Sequence, residues 1–315
     1  TDDKVIDGIR RWVSVAKRHG IYSTISPFWA HQKNAAKWGL PGYEKNEQDV
    51  YGLIFIEPKL EAAYRTWTRK LYAEPNLYTG LPLAKDPAVA IAQVQNEDSL
   101  LFWTTQAISP YYKARLADLF SAFALKKYGS AAKVKAAYAG TSAPGDRPDE
   151  GKWGLLDHWQ LTQDQTGALK TRADDQAWCY AVLQRDLYAR MKAHYRSLGY
   201  DGLTNATNWT TADTTRLGDL ERWSYGAMDV AAVNRYYDGG VHVGENNGWR
   251  IDPGHKFSGG SALRFPRDLP MNLRQPKGMP IVITESAWVW PNQTQSEGPI
   301  VSAVQMSVTG VDAFY

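Results

Sequence analysis

Val89-Ala90-Ile91-Ala92-Gln93-Val94-Gln95-Asn96-Glu97 is an apolar run that ends on a carboxylate. Short apolar runs of this kind read as buried strands. Pro280-Ile281-Val282-Ile283-Thr284-Glu285 repeats the pattern near the other end of the chain. Desolvating a carboxylate is costly, so two of them closing two buried strands point to chemistry. Hydrolysis of a glycosidic bond takes two carboxyl groups, one a proton donor and the other a nucleophile or base.

Working outward, the spacing of Val5, Ile6, Ile9, Trp12, Val13 and Ala16 predicts a helix over 4–19, with Gly20 as its stop. Ile21–Pro27 reads as a short strand, and a polar loop runs on to about 56. Pro58 then opens a second helix, in a position proline favours. After the Glu97 strand, 102–127 reads as helical and 140–170 as an insertion. The clearest helix spans 172–198, carrying Trp178, Val182, Leu187, Met191, Tyr195 and Leu198. Strands are expected near 203–209, 228–236, 280–285 and 311–315. A long glycine-rich loop precedes the fifth of the six strands, and a helix near 298–308 precedes the last.

Strands alternating with helices imply α/β architecture with parallel strands. Six strands are two short of a (β/α)8 TIM barrel. The expectation is one catalytic barrel domain over 1–315, incomplete at both ends, with strands three to eight visible. A missing N-terminal segment or a further chain would complete it.

The 315 residues are 43% hydrophobic and 22% charged, the composition of an ordinary folded protein. Against 36 basic residues stand 33 acidic ones, and a net charge of +3 spread along the chain argues against a nucleic-acid partner. No apolar run approaches the ~18 residues of a membrane span, and none resembles a signal peptide. Cys179 is alone, so no intrachain disulfide or thiolate cluster can form. Its place in a helical pattern between Trp178 and Tyr180 favours a buried, inert thiol. The six histidines form neither a His-x-His strand pair nor a His-Glu-x-x-His helix, so no metal or other cofactor is expected. The 13 Trp and 18 Tyr are the one strong bias. Flat aromatic faces stack on sugar rings, which fits a carbohydrate cleft.

In a parallel barrel the catalytic groups sit at the carboxyl ends of strands. Glu97 and Glu285 occupy such ends. Gln95-Asn96-Glu97-Asp98-Ser99-Leu100 resembles the fourth-strand Asn-Glu signature of the clan A glycoside hydrolases, retaining barrels with family 5-like and β-glucuronidase-like motifs. Ile283-Thr284-Glu285-Ser286-Ala287-Trp288 resembles the clan's seventh-strand motif, and Val233-Asn234-Arg235-Tyr236-Tyr237 its sixth-strand Asn-x-Tyr segment. The resemblance covers about 5–315. It implies that Glu97 is the acid/base, that Glu285 is the nucleophile, that Asn96 holds a sugar hydroxyl and that the Tyr236 hydroxyl touches Glu285. The clan's second-strand arginine has no counterpart here.

Further candidates for substrate contact are Asn234, Trp288, Trp29 with His31 after the third strand, and Asn208 with Trp209 after the fifth. Asp98 is expected as a helix-start charge, Glu44–Asp49 as a solvated loop face and Arg235 as the partner of an outer carboxylate. Glu97 must begin protonated and Glu285 ionised, so a drier setting for the first and hydrogen bonds for the second are expected. The expected substrate is a β-linked oligo- or polysaccharide, cleaved with retention, and the expected location is secreted or periplasmic in a bacterium. The alternative is a carbohydrate-binding barrel that has lost hydrolysis.

Overall fold

The computed structural model describes residues 2–237, 241–243, 253–257 and 259–315. The chain divides into two compact units, Thr1–Asp229 and Val230–Tyr315. Residues 238–240, 244–252 and 258 of the glycine-rich loop expected after Tyr236 lie outside the described residues.

The first unit begins with α1 (Asp3–Arg18), where the Asp2 side chain caps the backbone N–H of Lys4. Asp3 in the first turn and Lys17 and Arg18 in the last complement the helix dipole. β1 (Ser23–Ile25) follows, then α2 (Pro58–Ala73) with Pro58 at its first position and Glu57 as its cap. β2 (Val89–Gln93) lies between β1 and β3 (Leu203–Asn205), parallel to both. As the middle strand it is covered on both faces, and Val89, Ile91 and Ala92 are buried.

Between β2 and β3 the chain forms α3 (Pro110–Tyr128), α4 (Ala131–Ala137), α5 (His158–Leu161) and α6 (Gly167–Ser197). Where a helix is expected from 102, a 3-10 helix spans Trp103–Ala107, and the α-helix starts at Pro110. Proline disfavours helical backbone in the residue before it, and Ser109 is extended, at φ −61° and ψ 156°. α6 starts five residues earlier than its apolar pattern. It packs through Leu187, Met191 and Tyr195, all fully buried, while Trp178 stays 36% exposed. Cys179 is buried, and burial pushes its thiol up to about 12, which makes it a packing residue. A short helix that the sequence pattern does not announce, α7 (Gly218–Tyr225), closes the unit.

The second unit is a parallel sheet in the order β4 (Ala231–Asn234), β7 (Ile281–Glu285), β8 (Ala313–Phe314). An antiparallel pair, β5 (Val241–Val243) and β6 (Lys256–Phe257), interrupts the sequence between β4 and β7. α8 (Gly298–Thr309) connects β7 to β8 and ends at Gly310 in left-handed conformation. All six expected strands are present, but among the described residues they form two three-stranded parallel sheets and not the single closed sheet of the expected barrel. Among the described residues no helix is long and apolar enough to cross a membrane.

Candidate active site

In the first unit the ladder of β2 continues past its last strand residue. Val94 N–H bonds to Asn205 O at 3.0 Å and Gln95 N–H to Ala206 O at 3.2 Å, and Asn96 N–H turns the other way to Phe28 O at 2.8 Å. Glu97 then breaks the strand, with φ of +46°. A side chain other than glycine is strained in that region, and such strain gathers at functional positions. Asn208, from the segment after β3, holds the turn. Its Oδ1 accepts the Glu97 N–H at 2.9 Å, and its Nδ2 donates to Asn96 Oδ1 at 2.8 Å. Asn208 is 2% exposed, whereas Asn96 and Glu97 are half-buried. Asn96 caps no helix.

Asp98 departs from its expected role. No helix starts there; the side chain is fully buried, and both carboxyl oxygens lie 3.0 Å from the Gly52 nitrogen, which donates to them. Burial pushes its carboxyl up to about 8, the Gly52 bond lowers it, and the neighbouring Glu221 raises it further. Glu221, also buried, is likewise raised by burial and takes hydrogen bonds from Ser99 Oγ at 2.6 Å and Gln184 Nε2 at 3.0 Å. This polar layer anchors the residues that follow Glu97.

Trp29 pairs backbone to backbone with Asn96, and its ring is 40% exposed. His31 lies 4.7 Å away between ring centroids, and its Nδ1 is 2.8 Å from Asp49 Oδ1. Asp49 is solvated as expected, yet it also fixes this imidazole. Tyr51 completes the group, 6.5 Å from His31 between centroids. Burial raises its hydroxyl well above the ordinary range, and the charges of Asp49, Asp98 and Glu97 add to that. Tyr51 therefore keeps its proton beside Glu97. No sequence pattern singles it out, because it sits in an irregular loop far along the chain from Glu97.

Trp209 packs edge-on against Phe102, at 5.1 Å, and its indole N–H has no hydrogen-bond partner among the described residues.

In the second unit Glu285 is the last residue of β7. The Tyr236 hydroxyl donates to its Oε2 at 2.6 Å, and Tyr236 is 43% exposed. Asn234 pairs with Glu285 across the ladder and accepts from Thr284 Oγ1 at 2.8 Å. Arg235 N–H bonds to Glu285 O at 3.0 Å, which fixes the strand end, while the Arg235 side chain is disfavoured as a cation by burial and supported by Asp268. Trp288 differs from the expectation of an open stacking face. It is 6% exposed and packed with Tyr237, Ala262 and Leu269. Gly298 lies so close that a Cβ there would meet Trp288 Cε3 at 3.0 Å, so protein covers the ring. Among the described residues no group of three or more His, Cys, Asp and Glu side chains could hold a metal ion.

Neither a protein-family model nor a curated protein matches the chain. Similar solved structures include the beta-galactosidase from the psychrophilic Marinomonas ef1, 16% identical over 72% of this chain with a TM-score of 0.40. They also include PfGH50B, 12% identical over 74% with a TM-score of 0.42, and an exo-beta-agarase, 11% identical over 67% with a TM-score of 0.40. The chain spans 29%, 29% and 27% of the length of these three proteins.

Proposed function

We propose that this chain belongs to a retaining glycoside hydrolase that cleaves β-linked oligo- or polysaccharides, its six parallel strands forming part of a (β/α)8 barrel. The observation that carries this reading is the 2.6 Å hydrogen bond from Tyr236 to Glu285 at the end of a parallel strand. A short hydroxyl–carboxylate bond holds the carboxyl group in one orientation at the strand end, as an in-line nucleophile needs. The held turn at Asn96–Glu97 supports the acid/base role, since a fixed backbone limits where the Glu97 carboxyl can reach.

In the first step the Glu97 carboxyl protonates the glycosidic oxygen while Glu285 attacks the anomeric carbon. The aglycone leaves, and a glycosyl ester on Glu285 remains. Glu97, now a carboxylate, takes a proton from water, which attacks the same carbon and frees Glu285. This retaining course requires the two carboxyl groups ~5–5.5 Å apart. Asn96 and Asn234 offer amides to sugar hydroxyls, and Trp29 and His31 offer a ring platform. The cycle needs no cofactor.

A panel of aryl β-glycosides and plant and algal polysaccharides, with product analysis, tests the activity. Glu285→Ala should abolish turnover of the active substrate and regain part of it with azide. Unchanged turnover in that variant removes Glu285 as nucleophile, and sugar binding without any product favours a non-hydrolytic barrel.

A further inference from the structure

A second cleft in the first unit adjoins the segment that follows Glu97. It has a volume of about 780 Å³ and lies between α3 and the 142–160 region, with Gln106, Trp153, His158 and Gln160 in its wall. That volume is in the range of small-molecule sites. α5 borders it as a single turn held by reciprocal capping: the Asp157 side chain accepts from the start of the helix, and Gln160 Oε1 accepts from Asp157 N–H at 3.0 Å. This fixed turn presents two neighbouring rings in opposite ways. His158 is 3% exposed, and Trp159 is 59% exposed.

The two rings are joined through Trp103. Its ring lies 6.4 Å from that of Trp159, stacked at 28°, and 6.2 Å from that of His158. The His158 ring hydrogen-bonds to the backbone of Leu100 and Leu101, and burial lowers it to about 4, so it is neutral at pH 7. Its Nε2, buried in the cleft wall, has no hydrogen-bond partner among the described residues. A neutral imidazole nitrogen of this kind accepts a hydrogen bond. Beside the cleft, then, stand an exposed indole, Trp159, the half-buried Trp103 stacked with it, and the buried His158 of the cleft wall. Two of its cations are already answered, Lys152 by Asp118 and Arg147 by Glu150.

We propose that the Trp103–Trp159 pair and the adjoining cleft form a second saccharide-binding site, which takes a β-linked chain. The exposed indole of Trp159, backed by the half-buried Trp103, matches the apolar face of a pyranose ring. The unpartnered His158 nitrogen matches a hydroxyl donor. The choice of sugar rests on the glycosidase reading, and the site's purpose would be to hold a polymer near the enzyme between turnovers.

Native gel electrophoresis with soluble β-glucan, galactomannan or low-melting agarose in the gel tests this proposal, beside kinetics on an aryl β-glycoside. The wild-type chain should be retarded by at least one polymer. Trp159→Ala should weaken that retention roughly tenfold, the scale of one aromatic stacking contact, with an unchanged melting temperature and unchanged aryl-glycoside turnover. Trp159→Phe should keep most of the retention. Equal retention of wild type and Trp159→Ala, or no retention of wild type in any gel, overturns the second site. Retention that depends on Trp159 in a protein that hydrolyses nothing supports the site and counts against the glycosidase reading alone.

Discussion

Asn208 grips Glu97 by its backbone: the amide oxygen accepts the Glu97 N–H at 2.9 Å, and the amide nitrogen holds Asn96 at 2.8 Å. One buried side chain from the end of β3 thus sets the two residues that close β2. Asn208→Ala removes both bonds and leaves buried polar groups unpaired. The expected outcome is a stability loss of about 1–3 kcal/mol and a fall in kcat larger than the change in KM. Thermal melts and steady-state kinetics check both, and a variant with wild-type kcat would contradict the positioning role.

Glu97 itself is strained by its positive φ. Glu97→Gly should raise stability by about 1 kcal/mol, because glycine adopts that backbone freely, while abolishing acid/base function. Glu97→Gln keeps the strain and should leave stability near wild type while lowering turnover by about 10²–10⁴-fold. Denaturant unfolding of the two variants, set beside their rates, separates backbone strain from chemistry.

Tyr236→Phe deletes the bond to Glu285 and leaves the ring. A hydrogen bond to a charged group contributes about 1.5–3 kcal/mol, so the rate should fall by roughly 10- to 150-fold. Steady-state kinetics on the best substrate check this, and wild-type turnover in Tyr236→Phe would argue against contact between this hydroxyl and the working carboxylate.

Asp98 makes stability depend on pH. Folded, its carboxyl holds a proton up to about pH 8, against an ordinary value of 3.8. Between those limits the folded state binds more protons than the unfolded one, so stability falls as pH rises. Glu221, also raised, acts in the same sense. His158 and His194, both lowered to about 4 by burial, oppose it only below the ordinary histidine range. The clean window is therefore pH 6.5 to 8. Wild-type melting temperature should drop across it, and Asp98→Asn, which cannot ionise but can still accept from Gly52, should show a smaller drop.

The strands and long helices were legible because each repeats an apolar period. Val89–Gln93 and Ile281–Glu285 carry continuous apolar runs, and α1 carries a 3.6-residue stripe, although Val5 and Trp12 of that stripe stay exposed. Proline marked the start of α2 correctly, and at Pro110 it delayed a helix that the apolar content alone placed earlier. The two glutamates were legible from their place at strand ends. Their supports were not. Tyr51, Asp49 and the Gly52 bond to Asp98 depend on loops that meet only in three dimensions and follow no period. Trp288 shows the same limit from the other side. Nothing in its neighbours along the chain announces that Gly298 lets α8 close over the ring.

The central claim is that Glu285 bonds covalently to the sugar. Incubation with an activated 2-deoxy-2-fluoro β-glycoside matched to the best substrate, then peptide mass spectrometry, tests it most directly. One glycosyl group should be added to the peptide that carries Glu285, with turnover lost in step with labelling. Label on another residue, or full hydrolysis of the probe with inverted anomeric configuration and no labelled peptide, would contradict it.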